Sequence, residues 1–408
     1  MRLRVYLAPC GIGLGHITRA HPIATELKHR GIETVFSTYL DGLDYAKRNH
    51  LRTYEAVPIN FRVTNDGAID FKKTAATSGF SLGIRTFLKQ VVREIQFLKL
   101  FRPDVVLSDS RASSLVAAWL LRIPVALMLN QFRVEIIRRP SGRSLTPLDR
   151  LFFLIANLGW LFIRTVIQLV WGRSQVILIP DLPSPYTISL GNLAIPRRYT
   201  EKVKLIGPIV EGQHESSKSS TRSDDIRSKL GLGLELPFIY AAVSGPKVER
   251  EILARILLGS FKNMPGNYQI VLSRGNPNGK KTMHSVGGVS VYDWIENQDD
   301  FIRASDLVIG RAGHGTIMKS LAYGKPMVLV PIPDQTEQYG NARRAASLHV
   351  AETIDQNTLD RDTLKSKVDK VLESEKYIMN ASRISKEVAA MDAVAMACDI
   401  LEGLASRP

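Results

Sequence analysis

The sequence predicts an α/β protein with two doubly wound parallel sheets, one in each half of the chain. Short apolar runs alternate with helix-like stretches in both halves, which is typical of parallel strands joined by helices. A polar, Ser/Lys-rich stretch separates the two series and indicates a linker. The strand-like runs are 5–9, 33–39, 104–109, 124–129 and 175–180 in the first half, and 237–245, 268–275, 289–294, 306–310 and 326–331 in the second.

These patterns predict four segments. We expect an N-terminal domain over residues 1–210, a linker over 211–234, a C-terminal domain over 235–385 and a final helix over 386–408. A chain of 408 residues, 45% of them hydrophobic, is long enough for two cores, because a single core stops growing at about 250–300 residues.

The composition limits the partners and the compartment. A net charge of +15 favours a polyanionic partner, which could be nucleic acid, an anionic membrane surface or a phosphorylated substrate. No helix-turn-helix, zinc-finger or RRM pattern accompanies the charge, so we expect no nucleic-acid partner. The two cysteines, Cys10 and Cys398, stand at opposite ends of the chain and predict a reducing compartment. The first apolar stretch is too short for a signal peptide, so we expect a cytoplasmic protein.

Residues 151–171 form an apolar stretch that is nearly long enough to cross a bilayer. A crossing would split the first predicted sheet, and Asn157, Arg164 and Gln168 fall on one helical face. The stretch is therefore expected either as a helix buried in the N-terminal core or as one whose apolar face contacts a membrane or a lipid acceptor. Preceding arginines favour anionic headgroups; they are Arg138, Arg139, Arg143 and Arg150.

A glycine loop follows the first predicted strand. Gly11, Gly13 and Gly15 let a ligand approach the backbone, and the next helix begins with free N–H groups. A dinucleotide fingerprint needs a glycine where His16 stands, although Asp41 lies near the position of a ribose-binding acid. His16 is placed either to act on a ligand in the crevice or to cap the turn as a structural residue.

Asp109 directly follows another predicted strand. A carboxylate at this place can orient an imidazole and raise its basicity. It can also cap the following helix, and the two roles are compatible.

Residues 305–342 carry the most specific pattern in the chain. A predicted strand runs into a helix start with small residues, a hydroxyl and a guanidinium, which together predict an anion site. The next strand ends at Pro331, and polar side chains of a kind that suits sugar hydroxyls follow it. The helix start contains Arg311, Gly313, His314, Gly315 and Thr316, and the later loop contains Glu337, Gln338 and Asn341.

With these motifs the sequence resembles inverting GT-B glycosyltransferases of families 1 and 28, which include UDP-glycosyltransferases, the peptidoglycan N-acetylglucosaminyltransferase and archaeal relatives. The resemblance runs from GIGLGH to the end of EQYGNA. It implies two Rossmann-like domains that face a central cleft, with the last helix returning to the N-terminal domain. It also implies a nucleotide-sugar donor on the C-terminal domain and no separate cofactor.

The resemblance assigns roles to individual residues. His16 matches the general base of family 1, and Asp109 matches its carboxylate partner. Trp294 and Ile295 match the place where the base is held, and Ser244 with Gly245 matches a diphosphate-contacting turn. Arg311, Gly313, Gly315 and Thr316 match the diphosphate loop, Glu337 and Gln338 match the contacts to the donor sugar, and we expect Gly13, Gly15, His314 and Asn341 to complete the site.

One position departs from the family pattern. The helix after the diphosphate loop usually carries a ribose-binding Glu, and here that position is Lys319. An ammonium group cannot accept hydrogen bonds from ribose hydroxyls. Either the ribose is held differently, or the donor is unusual, or activity is lost.

The resemblance implies metal-independent transfer of a hexose or N-acetylhexosamine from a UDP-sugar to an acceptor hydroxyl, with inversion. The positive charge and residues 151–171 favour a lipid-linked acceptor at the cytoplasmic face of a membrane. Two alternatives stay open. A UDP-sugar 2-epimerase shares the architecture, but its acidic and arginine-rich N-terminal motifs do not occur in this sequence. A non-catalytic nucleotide-sugar-binding subunit is favoured by Lys319 and opposed by His16 and the Glu337–Gln338 pair.

Overall fold

The computed structural model describes residues 2–58, 80–132, 146–210, 223–262, 264, 266–333 and 335–406. These residues form two seven-stranded sheets, one in each half of the chain. The predicted α/β class with two doubly wound sheets is therefore confirmed.

The first sheet has the strand order β3-β2-β1-β4-β5-β6-β7, and all its strands are parallel. Its strands are β1 (Arg4–Pro9), β2 (Glu33–Thr38), β3 (Thr53–Glu55), β4 (Val105–Asp109), β5 (Val125–Met128), β6 (Val176–Ile179) and β7 (Val203–Leu205). The helices of this half are α1 (Gly15–His29), α2 (Leu40–Arg48), α3 (Phe80–Phe101), α4 (Ala112–Leu120), α5 (Pro147–Trp171) and the short α6 (Leu190–Leu193), followed by a 3-10 turn at Arg197–Lys202.

The second sheet has the order β10-β11-β9-β8-β12-β13-β14, and only the edge strand β10 is antiparallel to its neighbour. Its strands are β8 (Phe238–Ala242), β9 (Gln269–Ser273), β10 (Met283–Val286), β11 (Val289–Tyr292), β12 (Leu307–Gly310), β13 (Met327–Leu329) and β14 (Ala351–Thr353). Its helices are α7 (Ser223–Lys229), α8 (Lys247–Lys262), α9 (Gln298–Ala304), α10 (His314–Ala322), α11 (Thr336–Ser347), α12 (Arg361–Leu372) and α13 (Glu375–Ala389), with a 3-10 turn at Gln356–Thr358. The last helix is α14 (Ala393–Ala405).

Both sheets are covered on both faces. Central strands such as β4 and β12 are buried along their whole length, which is why they are continuous apolar runs rather than alternating ones. On the first sheet, α1 covers one face and α3 and α4 cover the other. On the second, α9, α10 and α13 cover one face and α8 and α12 the other.

The end of the chain crosses between the two halves. Helix α13 packs in the second half through Ala381, Ile384 and Val388. Helix α14 packs in the first half, where Ala397 and Cys398 belong to the same buried cluster as the residues of β1 and α1. The crossover therefore falls at residues 390–392, several residues later than the segment boundary expected from the sequence.

Part of the expected linker is a packed helix. Residues 211–222 lie outside the described residues, but 223–229 form α7. Ile226 is buried in the second core. Arg227 donates to the Ala304 carbonyl and to Asp306, which holds the helix against β12. The polar composition gave no sign of this helix, because a single buried apolar residue and the half-exposed ion pair of Arg227 with Asp306 hold it in place.

Helix α5 is not buried in the core, as one interpretation of residues 151–171 required. Among its described side chains, Trp171 at the end of the helix is buried in the core beneath α3 and α4, and Ile167 and Val170 pack against that core while partly exposed. Arg164 and Gln168 are partly covered by the protein, and Gln168 donates to the Phe132 carbonyl. The apolar side chains face solvent instead, at 42–64% exposure: Leu151, Leu154, Ile155, Leu158, Leu161, Phe162, Val166 and Leu169.

Candidate active site

A cleft of about 1580 Å³ lies between the two halves. The loops that follow β1, β8, β12 and β13 line it. Ligands of open α/β sheets bind outside the carboxyl ends of parallel strands. The cleft is therefore the candidate site.

His16 and Asp109 meet at the first-half wall of the cleft. Strand pairing aligns Pro9 with Asp109, so the glycine loop and the aspartate leave the sheet at the same edge. His16 Nδ1 lies 2.8 Å from Asp109 Oδ1. If Nδ1–H donates to the carboxylate, Nε2 of the neutral imidazole is the free base. His16 lines the cleft, while Asp109 is 1% exposed and lies behind it.

Arg19 completes this cluster. It lies three residues after His16 on α1, and its Nε donates to Asp109 Oδ2 at 2.6 Å while Nη2 donates to Oδ1. Burial alone would raise the pKa of the Asp109 carboxyl. The Arg19 guanidinium and His16 outweigh burial and hold that pKa well below its usual value. Asp109 is therefore a fixed carboxylate that positions the imidazole.

The glycine loop brings the two halves close together. Gly13 has a φ of +68°, a conformation that favours glycine, and a Cβ there would lie 3.6 Å from the Gly245 carbonyl carbon. The Gly13 N–H donates to Asp41, whose other oxygen pairs with Arg250 of α8. Asp41 is thus committed to the protein and is not a free ribose-binding acid. Gly15 begins α1 and lines the cleft.

The loop after β12 presents a helix start to the cleft. Gly313, His314, Gly315 and Thr316 line it, and α10 begins at His314. The first N–H groups of a helix have no intrahelical partner and favour an anion. His314 Nε2 lies 3.2 Å from the buried carboxylate of Asp181 in the first half. Burial opposes a low pKa for Asp181, but the His314 interaction lowers it to about 2.

Arg311 does not line the cleft, which differs from the expected contact with the diphosphate. The residue is 1% exposed. Its Nη1 donates to the carbonyls of Val330 and Pro331, and its Nη2 donates to the carbonyl of Glu249. Burial lowers the pKa of Arg311 to about 10. The guanidinium therefore fastens three backbone segments around the site.

The polar residues after β13 differ in position, since two of them line the cleft and the third is buried. Glu337 and Gln338 line the cleft. Asn130, which belongs to the first half, donates to Glu337 at 2.5 Å. Gln338 accepts from the Ile332 N–H. Asn341 differs from expectation because it is fully buried, donates to the Ala312 carbonyl and accepts from Asn192.

Of the two residues expected to hold the nucleobase of the donor, one lies at the cleft and the other lies in the core. Trp294 lines the cleft, although it is only 4% exposed. Its ring meets Tyr45 edge-on and lies under the Arg48 guanidinium, both from α2. Ile295 is buried in the second core and does not line the cleft. A backbone contact to a base remains compatible with this placement.

Lys319 faces the cleft with its charge already paired. Its Nζ lies 2.6 Å from Asp299 Oδ1, and the Tyr323 hydroxyl donates to Asp299 Oδ2. Asp299 also lines the cleft, from the first turn of α9. A carboxylate therefore exists beside the usual ribose position, on a different helix.

Several residues of the site were missed by sequence reasoning. Arg19 had a usable signal, since it falls on the same helical face as His16. Ser110 is recognised only from the structure, where it follows β4 with a φ of +58° and lines the cleft. Asn130 and Asp299 belong to loops and helices whose approach to the site depends on the tertiary fold.

None of the helices in the described residues is both long and apolar enough to cross a membrane. Among the same residues, no group of three His, Cys, Asp or Glu side chains is arranged to hold a metal ion.

The chain is similar to known glycosyltransferases in sequence and in fold. Residues 244–396 match the glycosyltransferase family 28 C-terminal domain. An uncharacterized glycosyltransferase of Methanosarcina mazei is 26% identical, covering 98% of both chains. The UDP-N-acetylglucosamine--N-acetylmuramyl-(pentapeptide) pyrophosphoryl-undecaprenol N-acetylglucosamine transferase of Lactobacillus helveticus is 23% identical, covering 98% of this chain and 99% of its own. The structure of the spinosyn rhamnosyltransferase SpnG with thymidine diphosphate superimposes with a TM-score of 0.61 at 16% identity, covering 98% of this chain and 100% of its own.

The fold and site thus define an enzyme of the glycosyltransferase class. The chain is similar to GT-B glycosyltransferases of families 1 and 28, and its residues 244–396 match the family 28 C-terminal domain. The resemblance inferred from the sequence motifs is confirmed.

Proposed function

We propose that this enzyme transfers a hexose or N-acetylhexosamine from a UDP-sugar to a hydroxyl of a lipid-linked acceptor, with inversion. The observation that carries the proposal is the His16–Asp109 pair, 2.8 Å apart, at the wall of a cleft opposite a helix start. A base and an anion site on opposite walls of one cleft suit a single displacement.

The chemistry requires one proton acceptor and a stabilised leaving group. His16 Nε2 takes the proton of the acceptor hydroxyl while its oxygen forms a bond to the anomeric carbon. The bond from that carbon to the donor phosphate breaks, and its electron pair leaves with the nucleoside diphosphate. The N-terminus of α10 and the Ser244–Gly245 turn face this charge. The scheme as proposed uses no divalent metal.

The donor ribose has a candidate partner in Asp299. Lys319 cannot accept its hydroxyl hydrogen bonds. The Lys319 ammonium instead fixes the Asp299 carboxylate at the cleft wall, where its lone pairs can accept from a diol. We propose that the carboxylate of this site has moved from α10 to α9. A relative whose name gives a UDP-sugar donor supports the choice of UDP.

The acceptor is proposed from the outer face of the first half. Helix α5 lines the cleft with Trp160, Ile167 and Trp171 and turns apolar side chains to solvent. On the same face of the sheet, α3 and α4 expose further apolar side chains. Arg150 lies in the first turn of α5, and Arg173 follows the end of that helix. Such a surface suits an anionic membrane. We name it the apolar face; it consists of Ile84, Leu88, Val92, Trp119, Leu120 and the exposed residues of α5.

A pyrophosphoryl-undecaprenol acceptor in the name of one relative supports a lipid-linked substrate. The arginines Arg138, Arg139 and Arg143, expected to contact headgroups, lie outside the described residues. The proposed location is the cytoplasmic face of a membrane, with the protein bound peripherally.

The first test is calorimetric binding of UDP, GDP and TDP, without metal and then with EDTA. Binding of UDP in preference to the others supports the donor assignment. Preference for TDP would replace UDP as the donor nucleotide and keep the site. A folded protein that binds none of the three contradicts the proposal, because Lys319 would then have abolished the donor site.

A further inference from the structure

Glu249 is a buried acid at the edge of the cleft. It lies in the first turn of α8, directly after the Ser244–Gly245 turn, and is 2% exposed. It nevertheless lines the cleft. No role was assigned to it by the sequence motifs, and the catalytic scheme above does not use it.

One carboxyl oxygen of Glu249 has no hydrogen-bond partner within the described part of the chain. Oε1 receives a long contact of 3.4 Å from Gln335 Nε2. Oε2 is buried and has no hydrogen-bond partner among the described residues. It lies against the turn, since a Cβ on Gly245 would be 3.5 Å from it. A buried polar atom without a partner is costly, so it indicates a missing ligand.

The surrounding charges do not satisfy this carboxyl. Arg311 donates from Nη2 to the backbone carbonyl of Glu249 and from Nη1 to the carbonyls of Val330 and Pro331, and its Nε makes no hydrogen bond with the described residues. Arg250, the next residue of α8, pairs with Asp41 and the Gly245 carbonyl. Burial raises the pKa of Glu249 to about 7, and Arg311 only partly opposes this. The neutral acid is therefore accessible near neutral pH.

We propose that Glu249 binds the donor diphosphate as a neutral acid, its carboxyl O–H donating to a phosphate oxygen. The inference rests on the donor site proposed above. An ionised carboxylate in that position would repel the diphosphate, so only the protonated form is compatible with the bound nucleotide. Glu249 is thus a positioning and binding group that links donor binding to the uptake of one proton.

The direction of the pH dependence follows from the sign of the charge. Below pH 7 the free protein already carries the proton, and binding of UDP takes up none. Above pH 7 the free carboxyl is ionised, so binding must recruit a proton, and affinity falls by up to about tenfold per pH unit. Measurements between pH 7 and 9 avoid the last phosphate ionisation of UDP itself, near pH 6.

Calorimetry of UDP and TDP at pH 7 and pH 8.5 tests the proposal, in two buffers of different ionisation enthalpy. Wild-type protein should bind at least several-fold more weakly at pH 8.5 and take up close to one proton there. Glu249→Gln keeps an N–H donor, so it should bind with an affinity independent of pH and without proton uptake. Glu251→Gln is the matched control, because Glu251 is exposed on the same helix; it should behave as wild type.

The outcomes distinguish failure of the role proposed for Glu249 from failure of the proposed donor site. If Glu249→Gln keeps the wild-type pH slope, the role of Glu249 is overturned and the donor site stands. If neither nucleotide binds wild-type protein at either pH, the donor site and the role of Glu249 are overturned together.

A second readout needs no nucleotide. The pKa of Glu249 in the folded protein lies above its unfolded value of about 4.3. The free energy of unfolding therefore falls as the pH rises from that value towards 7, because the folded state must then hold a buried charge or keep a proton that the unfolded state has lost. Glu249→Gln should therefore raise the melting temperature by several degrees more at pH 8.5 than at pH 5. An equal change at both pH values contradicts the assignment of a buried titrating acid.

Discussion

The Asp41 carboxylate lies 2.9 Å from Arg250 Nη1 and joins the two halves of the enzyme beside the cleft. Both side chains are largely buried, at 13% and 5% exposure. Asp41 also accepts from the Gly13 N–H, and Arg250 also donates to the Gly245 carbonyl. One ion pair therefore fixes the spacing between the glycine loop and the turn expected to hold the diphosphate.

Removing one member of this pair should destabilise the protein strongly. Asp41→Ala leaves the Arg250 charge buried without its partner, so we expect a loss of about 3 kcal/mol in the free energy of unfolding. Urea unfolding of both single variants and the double variant gives the coupling, expected at about 1–3 kcal/mol. Glu33→Ala, which breaks the exposed pair with Arg52, should cost less than about 1 kcal/mol. Additive single losses would contradict the interaction.

His16→Ala should lower kcat for release of UDP from a UDP-sugar with acceptor present by about 10²–10⁴-fold, because general base catalysis contributes that much. The affinity for UDP should stay near wild type, since His16 faces the acceptor side. Asp109→Asn should also lower kcat, because an amide no longer fixes the tautomer of His16. Near wild-type turnover by His16→Ala would remove the histidine from the mechanism.

The apolar face predicts binding to anionic vesicles. Leu158 and Phe162 are 59% and 64% exposed on α5, so glutamate at either position should leave the melting temperature almost unchanged. We expect Leu158→Glu with Phe162→Glu to abolish flotation with vesicles rich in phosphatidylglycerol, since charge opposes insertion.

Met379→Glu serves as the control for that experiment. Met379 is 66% exposed on α13, in the second half of the chain, so this variant should float as wild type does. Failure of the wild-type protein to float at low salt would contradict the membrane assignment.

Asp299→Asn should weaken UDP binding by about tenfold or more, because a charged hydrogen bond contributes about 1.5–3 kcal/mol. Calorimetry measures the change, and Asp362→Asn at a 92% exposed site is the control. The exchanged variant, Asp299→Lys with Lys319→Glu, should recover part of the affinity because it returns a carboxylate to α10. Unchanged binding by Asp299→Asn would leave the ribose without its proposed partner.

Arg311→Ala should destabilise the protein, and any loss of nucleotide binding should follow from that destabilisation. It removes the donors of three buried carbonyl groups, each costing about 1–3 kcal/mol when unpaired. We expect a melting temperature lower by many degrees, with loss of UDP binding as a consequence of the displaced loops. If Arg311→Ala melts like wild type and only loses UDP, the guanidinium contacts the diphosphate directly and its support role is wrong.

The fold could be predicted from the sequence because most of its strands are short apolar runs that are visible within a single segment of the chain. Buried parallel strands are continuous apolar runs, and β1, β4, β8, β12 and β13 were all found near their observed positions. The missed strands are short, as at β3 and β7, or lie at an edge, as at β10. Helix α7 was missed because a single buried apolar residue, Ile226, anchors it.

The sequence by itself determined the glycosyltransferase class and the residues at the strand ends, because loop chemistry and strand order are encoded within short segments. Only the tertiary structure decided which of those residues face the cleft. It turned Arg311 and Asn341 inward, since their groups satisfy backbone carbonyls from distant segments. It also brought Arg19 to Asp109 and Asp299 to Lys319, and it gave Glu249 Oε2 no hydrogen-bond partner among the residues that the structure describes. Such relations depend on how separate elements pack, and no single segment of the chain contains them.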